Sequence, residues 1–219
     1  MTPDLITLTD ARSAQAEAYR SLRTNLEFSS LDHALRTLLI TSTTPDEGKS
    51  TTLANLGVIY AQTGRQVALL DCDLRRPRLH EIFGGPNNLG VATALLAADA
   101  LLPWQDTGVA NLRLLPSGPL PPNPADLLAS ARMNALLQRV AAEADLVLID
   151  APPVLAVTDA ALLAAKVDGV LLVVNAGHTR REHALRAKAL LAKVNARLIG
   201  AVLNNAAAEK GLFDYYGQK

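Results

Sequence analysis

The stretch TLLITSTTPDEGKSTT, residues 37–52, decides the fold. Its first six residues are typical of a buried strand, and the residues from Lys49 onward favour a helix. The turn between them ends in Gly-Lys-Ser, as in loops that hold phosphate with backbone N–H groups and a helix N-terminus. Thr43 stands where the common GxxxxGK[ST] pattern has its first glycine. The stretch therefore predicts a nucleotide site in which one position of the pattern is not met.

Each residue of this turn has an expected role. Lys49 is expected to offset charge on the β- and γ-phosphates, Ser50 to bind Mg²⁺, and Thr51 to reach the α-phosphate. Asp46 and Glu47 are expected to add negative charge near the anion, and a side chain at Asp46 restricts the backbone. An ordinary strand, turn and helix with an exposed lysine is the alternative. The expected nucleotide contacts also include Thr44 and Gly48.

Two carboxylates follow the second predicted strand, residues 67–71. In an extended chain alternate residues point the same way, so Asp71, Asp73 and Arg75 are expected to share a face. Two close carboxylates repel unless a cation lies between them or one takes up a proton. The Mg²⁺ ion of a nucleotide would supply that cation and needs few protein ligands. A solvated acidic turn with Arg75 paired locally is the alternative.

A third carboxylate, Asp150, ends the predicted strand 145–150, directly before Ala-Pro-Pro. This is the position of a magnesium-organising carboxylate in folds with a phosphate-binding loop. An aspartate at a strand end is common by itself. Ligands of open α/β folds bind outside the carboxyl ends of parallel strands. Lys49, Asp71, Asp73 and Asp150 are therefore expected to meet in one crevice with catalytic roles.

Composition limits the function classes. The formal net charge is zero and the pI is about 6.9, which argues against a nucleic-acid partner. The single cysteine, Cys72, excludes an internal disulfide framework and a four-cysteine metal cluster supplied by one chain. No apolar run approaches the ~18 residues that a membrane span needs. The 219 residues are predicted to form one domain.

Apolar runs alternate with helical stretches along the chain, which predicts an α/β fold with a mostly parallel sheet and helices on both faces. The runs are continuous, as expected of strands covered on both sides. The predicted strands are 37–42, 67–71, 145–150, 169–174, 197–204 and, more weakly, 112–115. The predicted helices are 13–29, capped by Ser13, and 49–63, about 92–98, 124–142, 158–166 and 179–195. The expected parts are an N-terminal helical segment (1–35), the α/β core (36–205) and a flexible tail (206–219).

Four motifs carry a resemblance to a known family. They are DEGKST (46–51), LLDCDLRRPRLHEIFG (69–84), PSGPLPPNPADLL (116–128) and DLVLIDAPPVLAVTDA (145–160). Together they resemble the bacterial tyrosine kinases of capsule and exopolysaccharide synthesis, from about Glu17 to the C-terminus. The resemblance implies a P-loop NTPase fold that uses ATP and Mg²⁺. This family often lacks the first loop glycine, so Thr43 fits it, whereas Asp46, often glycine there, is a departure.

The resemblance also implies partners and a location. The segment EAYRSLR is similar to the family's ExxRxxR element, so Glu17, Arg20 and Arg23 are expected to build a ring of identical subunits. A solvated ion pair is the alternative. A transmembrane activator of the polysaccharide co-polymerase type, separate or fused, is expected to hold the chain at the cytoplasmic face of the membrane.

The tail supplies the expected phosphate acceptors. Tyr215 and Tyr216 lie within the last few residues, and in this family a tyrosine-rich C-terminus is phosphorylated. The resemblance thus implies a protein-tyrosine autokinase that works between subunits, with Asp71 or Asp73 accepting the phenol proton. Asn204, or Asn205, is expected to read the adenine edge. The alternatives are an adaptor that only binds ATP and a septum-placement or partition ATPase, whose second loop lysine is here replaced by Thr44.

Overall fold

The computed structural model describes residues 3–29, 34–97 and 100–207. The helices of these ranges are α1 (Ile6–Thr9), α2 (Ala14–Phe28), α3 (Lys49–Ala61), α4 (Leu79–Ile82), α5 (Val91–Leu96), α6 (Pro124–Ala129), α7 (Ala131–Ala142), α8 (Asp159–Ala164) and α9 (Arg181–Lys193). The strands are β1 (Thr37–Ser42), β2 (Val67–Asp71), β3 (Gln105–Asp106), β4 (Leu112–Leu115), β5 (Leu146–Asp150), β6 (Gly169–Asn175) and β7 (Leu198–Asn204). None of the helices in the described ranges has the length and apolar character to cross a membrane.

The strands form one sheet in the order β3-β4-β2-β5-β1-β6-β7. All neighbours are parallel except β3 and β4. Because side chains alternate along a strand, β1 sends Leu38 and Ile40 into an apolar cluster with α1 to α4 and Leu39 into a second cluster with α5 to α9. The predicted α/β class with helices on both faces is confirmed.

Local sequence signals placed most elements correctly. Ser13 caps α2, since its Oγ atom accepts a hydrogen bond from the Ala16 N–H at 3.2 Å. The single helix predicted over 124–142 is wrong, because Ser130 is extended (φ −63°, ψ 158°) and separates α6 from α7. The Ser130 hydroxyl donates instead to the Leu127 carbonyl at 2.7 Å. The elements α1, α4 and β3 were not predicted, since at four residues or fewer they show no periodicity.

The predicted strand 197–204 occurs as β7, but the expectation that both its faces are covered is wrong. Among the described strands it lies at the edge of the sheet, where its one partner is β6. Leu203 is 59% exposed there. The predicted tail lies outside the described residues from residue 208 onward, and this includes Tyr215 and Tyr216.

Candidate active site

The phosphate-binding loop joins β1 to α3. Within it, Asp46 (φ 63°) and Gly48 (φ 87°) are the residues with left-handed backbone, so Thr43 does not occupy a position that requires glycine. Gly48 does, because a Cβ atom there would also overlap the side-chain amide of Asn204. The loop therefore accommodates Thr43 at its first position and requires glycine at Gly48.

The Glu47 side chain turns into the protein. It is fully buried, and its carboxylate accepts hydrogen bonds from the backbone N–H and the hydroxyl of both Thr43 and Thr44. A further bond comes from the Thr179 hydroxyl. Burial raises the pKa of Glu47, but these hydrogen bonds outweigh it and leave the pKa lowered. The carboxylate therefore stays ionised, as expected, but its charge is paired with these threonine donors.

The Lys49 ammonium group lies among the carboxylates at the carboxyl edge of the sheet. Its Nζ atom is 2.9 Å from Asp73 Oδ2, 3.2 Å from Asp150 Oδ1 and 3.2 Å from Ser50 Oγ. The Ser50 hydroxyl also donates to Asp150 Oδ2 at 2.5 Å. The structure thus brings Lys49, Ser50, Asp73 and Asp150 into direct contact, although 101 residues separate Lys49 from Asp150.

Asp71 lies behind this cluster. It is opposite Asp150 in the β2–β5 register and is fully buried. Its Oδ2 atom accepts backbone N–H bonds of 3.0 Å from both Arg78 and Leu79, and Oδ1 accepts one from Asp73. Asp71 therefore shapes the turn that leads into α4, and its carboxyl group lies at the strand ends.

The acidic groups depend on one another for their charge state. Burial, followed by the negative charge of Asp150, raises the pKa of Asp71 to about 8. Burial also raises the pKa of Asp150, in part offset by the Lys49 charge and the Ser50 hydrogen bond. For Lys49, burial lowers the pKa, but Asp150 and Asp73 more than compensate and raise it. The site holds more negative charge than its one ammonium group balances.

Arg75 does not join Asp71 and Asp73. Its Nε and Nη2 atoms donate to the two oxygens of Asp159 at 2.9 and 3.0 Å. Asp159 is fully buried at the start of α8, and 84 residues separate the pair, so the pairing is not local. The sequence did not single out Asp159, and its only signal was a Thr-Asp pair before a short apolar helix. The pair fastens the turn after β2 to the segment after β5.

A cavity of about 930 Å³ opens beside the loop. Thr51, Asn204 and Asn205 line one side of it, and α1 and α2 line the other. The Asn204 amide donates to the Glu47 carbonyl at 3.0 Å, so this side chain is held against the loop. The cavity is large enough for a nucleoside.

The charged stripe of α2 forms contacts within the chain. Arg20 is 2.8 Å from Glu17, and its Nη2 atom donates to the Ala11 carbonyl at 2.6 Å. Arg23 lies 3.9 Å from Glu27 rather than beside Glu17. Glu17 is half exposed and remains accessible to another molecule.

The oxygen atoms of Ser50 and Asp150 fit a magnesium ion. Mg²⁺ prefers hard oxygen ligands and takes few from the protein when phosphate supplies the others. The hydroxyl and the carboxylate already lie within hydrogen-bond distance of each other, so one ion can reach both. Across the described ranges, no three His, Cys, Asp or Glu side chains are grouped to hold a metal by themselves.

Comparison with known proteins assigns the family. The model of the CobQ/CobB/MinD/ParA nucleotide binding domain matches residues 38–214. Tyrosine-protein kinase YwqD of Bacillus subtilis is 42% identical over 221 residues, which span 100% of this chain and 93% of the relative. The chain belongs to the bacterial tyrosine-protein kinases. Tyrosine-protein kinase etk of Escherichia coli is 35% identical over 189 residues, 86% of this chain but 26% of the relative.

Solved structures agree with this assignment. The chimerical protein CapA2B2 has a TM-score of 0.89 and 36% identity, covering 93% of this chain and 90% of that one. The septum site-determining protein MinD of Pyrococcus horikoshii, complexed with Mg-ADP, has a TM-score of 0.66 and 24% identity, covering 80% and 72%. MinD shares the fold, whereas the kinases share both fold and sequence. The predicted family and P-loop fold are confirmed, and the septum-placement alternative is not favoured.

Proposed function

We propose that the chain is a Mg²⁺-dependent protein-tyrosine autokinase that transfers the γ-phosphoryl group of ATP to Tyr215 and Tyr216. The observation that carries this proposal is the position of Lys49, within hydrogen-bond distance of Asp73, Asp150 and Ser50 at the start of α3. Phosphoryl transfer is catalysed mainly by positioning and by stabilising charge, and this cluster provides both.

The loop and the adjoining cavity bind ATP. Lys49 exchanges part of its carboxylate contact for the β- and γ-phosphates, while loop N–H groups and Thr51 hold the triphosphate. The base enters the cavity beside Asn204, with Asn205 as the neighbouring amide. Further loop contacts come from the backbone of Asp46, Glu47 and Gly48, whereas the N–H group and the hydroxyl of Thr44, also expected to contact the nucleotide, already donate to Glu47.

Ser50 and Asp150 would hold the magnesium ion, with the Asp71 carboxyl group behind them. The ion neutralises charge on the phosphates when it is bound. The charge of a bound ion would favour the ionised form of Asp71, which would then complete the metal set through the field of its carboxylate, since backbone N–H groups occupy both of its oxygens.

The acceptor tyrosine needs a base, because its phenol has a pKa near 10. Asp71 or Asp73 takes the proton as the phenol oxygen bonds to the γ-phosphorus, and the bond from that phosphorus to the β–γ bridging oxygen breaks. Of the two, Asp73 is nearer the surface, with 4% of its side chain exposed beside Lys49. ADP leaves with the electron pair of the broken bond.

Assembly brings acceptor and site together. A ring built through Glu17, Arg20 and Arg23 of α2 delivers each tail to a neighbouring subunit. Two phosphotyrosines add roughly three to four negative charges at pH 7 and loosen this ring. The chain acts at the cytoplasmic face of the membrane with a transmembrane activator and regulates polysaccharide synthesis and export. The chain matches only 26% of the etk relative, so that relative carries further segments in which a fused partner could lie.

Phosphate mapping tests the proposal. The purified chain is incubated with Mg·ATP, alone and with the cytoplasmic segment of a membrane partner, and modified residues are located by mass spectrometry. We expect phosphate on Tyr215 or Tyr216, and none in the Lys49→Met variant. Release of free phosphate without modification would instead support a positioning ATPase. Binding of ATP with neither outcome would support an adaptor.

A further inference from the structure

The Glu47 carboxylate joins two distant parts of the chain. Thr43 and Thr44 donate their N–H groups to Oε2 at 2.7 and 3.2 Å, and their hydroxyls donate to Oε1 at 2.7 and 3.0 Å. The Thr179 hydroxyl, located between β6 and α9, also donates to Oε1. One buried carboxylate therefore binds both the first half of the phosphate-binding loop and the segment that leads into α9.

A second hydrogen bond orients the Thr179 hydroxyl toward Glu47. The backbone N–H of Asn175 donates to Thr179 Oγ1 at 2.8 Å, so the proton of the hydroxyl is left for Glu47. Asn175 ends β6, and its register partner on β7 is Asn204. The Asn204 amide in turn donates to the Glu47 carbonyl at 3.0 Å. Together these hydrogen bonds connect the phosphate-binding loop to the β6–β7 edge at two points, through Thr179 and through Asn204.

We infer that Glu47 is a positioning residue that couples the shape of the phosphate-binding loop to the β6–β7 edge through Thr179. The inference rests on the proposed function, because it takes this loop to hold ATP, and it adds what fixes the loop. Donors that are oriented before an anion arrives bind it without a further ordering cost. Loss of the Thr179 hydroxyl therefore weakens nucleotide binding, although Thr179 is not among the residues that line the cavity.

A matched pair of variants tests this coupling in the full chain. Thr179→Val keeps the size of the side chain but removes the hydroxyl, whereas Thr179→Ser keeps the hydroxyl. By calorimetry with Mg·ADP, we expect Kd to rise roughly tenfold for valine, because a hydrogen bond to a carboxylate is lost, and to stay within about twofold for serine. In a Glu47→Gln background the valine substitution should change Kd by less than about twofold, because the two residues act as one unit.

Hydrogen exchange without nucleotide provides an independent readout. We expect Thr43 and Thr44 to exchange at least about tenfold faster in Thr179→Val, relative to the β1 amides, and at the wild-type rate in Thr179→Ser. A wild-type chain that binds no nucleotide would end the proposed function, while exchange would still decide the coupling. Wild-type exchange in the valine variant, or additive effects of the two substitutions on Kd, would overturn the inference. A merely structural role would lower Tm and leave both readouts unchanged.

Discussion

The Ser50 hydroxyl and the Asp150 carboxylate are joined by a hydrogen bond of 2.5 Å. The second residue of α3 and the last residue of β5 thus place two hard oxygen ligands side by side, next to the Lys49 ammonium group. This arrangement is the one that the proposed use of Mg²⁺ requires, because a nucleotide would supply the other oxygen ligands and no compact metal cluster occurs among the described residues.

Removal of either oxygen should impair phosphoryl transfer. We expect Ser50→Ala and Asp150→Asn each to lower the initial rate of tyrosine phosphorylation by about 100-fold or more, because charge on the phosphates is less well compensated. Ser50→Thr keeps the hydroxyl and should retain most activity. Asp145→Asn, at the opposite end of the β5 region, is the control for the carboxylate. Rates within about threefold of wild type for Asp150→Asn would contradict the assignment.

Stability of the nucleotide-free chain should fall as pH rises. The pKa of Asp71 is raised to about 8 in the folded chain, whereas an unfolded aspartate titrates near 4. Between these values the folded state keeps a proton that the unfolded state has lost, so the free energy of unfolding decreases with rising pH. We expect Tm in EDTA to drop between about pH 5.5 and about pH 8, and to drop less in Asp71→Asn. A slope unaffected by this substitution would show that Asp71 is not its source.

Glycine at position 46 should raise the stability of the chain, because Asp46 has a left-handed backbone. A non-glycine residue in this region is strained by roughly 1 kcal/mol, so we expect Asp46→Gly to stabilise the chain in urea unfolding by up to that amount. The variant also removes a negative charge near the phosphates and should bind Mg·ATP a few-fold more tightly. Asp46→Asn, which removes the charge but keeps a side chain, separates the two effects. Weaker ATP binding by both variants would mean that the carboxylate assists the ligand.

The Arg75–Asp159 pair should show strong coupling. Asp159 is fully buried, so Arg75→Met leaves a buried carboxylate without its cation. Because 40% of the arginine side chain is exposed, we expect a loss of only about 1–3 kcal/mol in urea unfolding. Adding Asp159→Asn should recover part of this loss, whereas Arg76→Met, on the exposed neighbour, should cost little. A double variant less stable than Arg75→Met alone would argue against the ion pair as the cause.

The sheet was readable from the sequence because most of its strands are covered on both faces. A run such as Leu38, Leu39 and Ile40 serves two apolar clusters at once and therefore appears as an uninterrupted apolar segment. Strand β7 gave the same signal although Leu203 is exposed, because a short apolar run does not show which faces of its strand are covered. The break at Ser130 was missed because a serine inside an apolar helical pattern gives no periodic signal of its own.

Only part of the site could be predicted from the sequence, because residue type indicates the charge of a side chain but not the direction in which it points. Lys49, Asp73 and Asp150 follow strand ends or begin a helix, and parallel topology brings such positions together. Glu47 occupies the same loop, yet its carboxylate faces the threonines behind it. The threonines three and four residues earlier were the available signal. Thr179 had none, since its contact depends on how β6 leads into α9.

The strand order also has a consequence for how the chain is made. Because β1 lies between β5 and β6, the cluster around Lys49 is incomplete until residue 150 has been synthesised, and the Asn204 contact comes last. A growing chain on the ribosome therefore has Asp73 early, but it carries the loop through most of translation without Asp150 and Asn204. Nucleotide capture then becomes a late event that requires synthesis of the chain as far as Asn204.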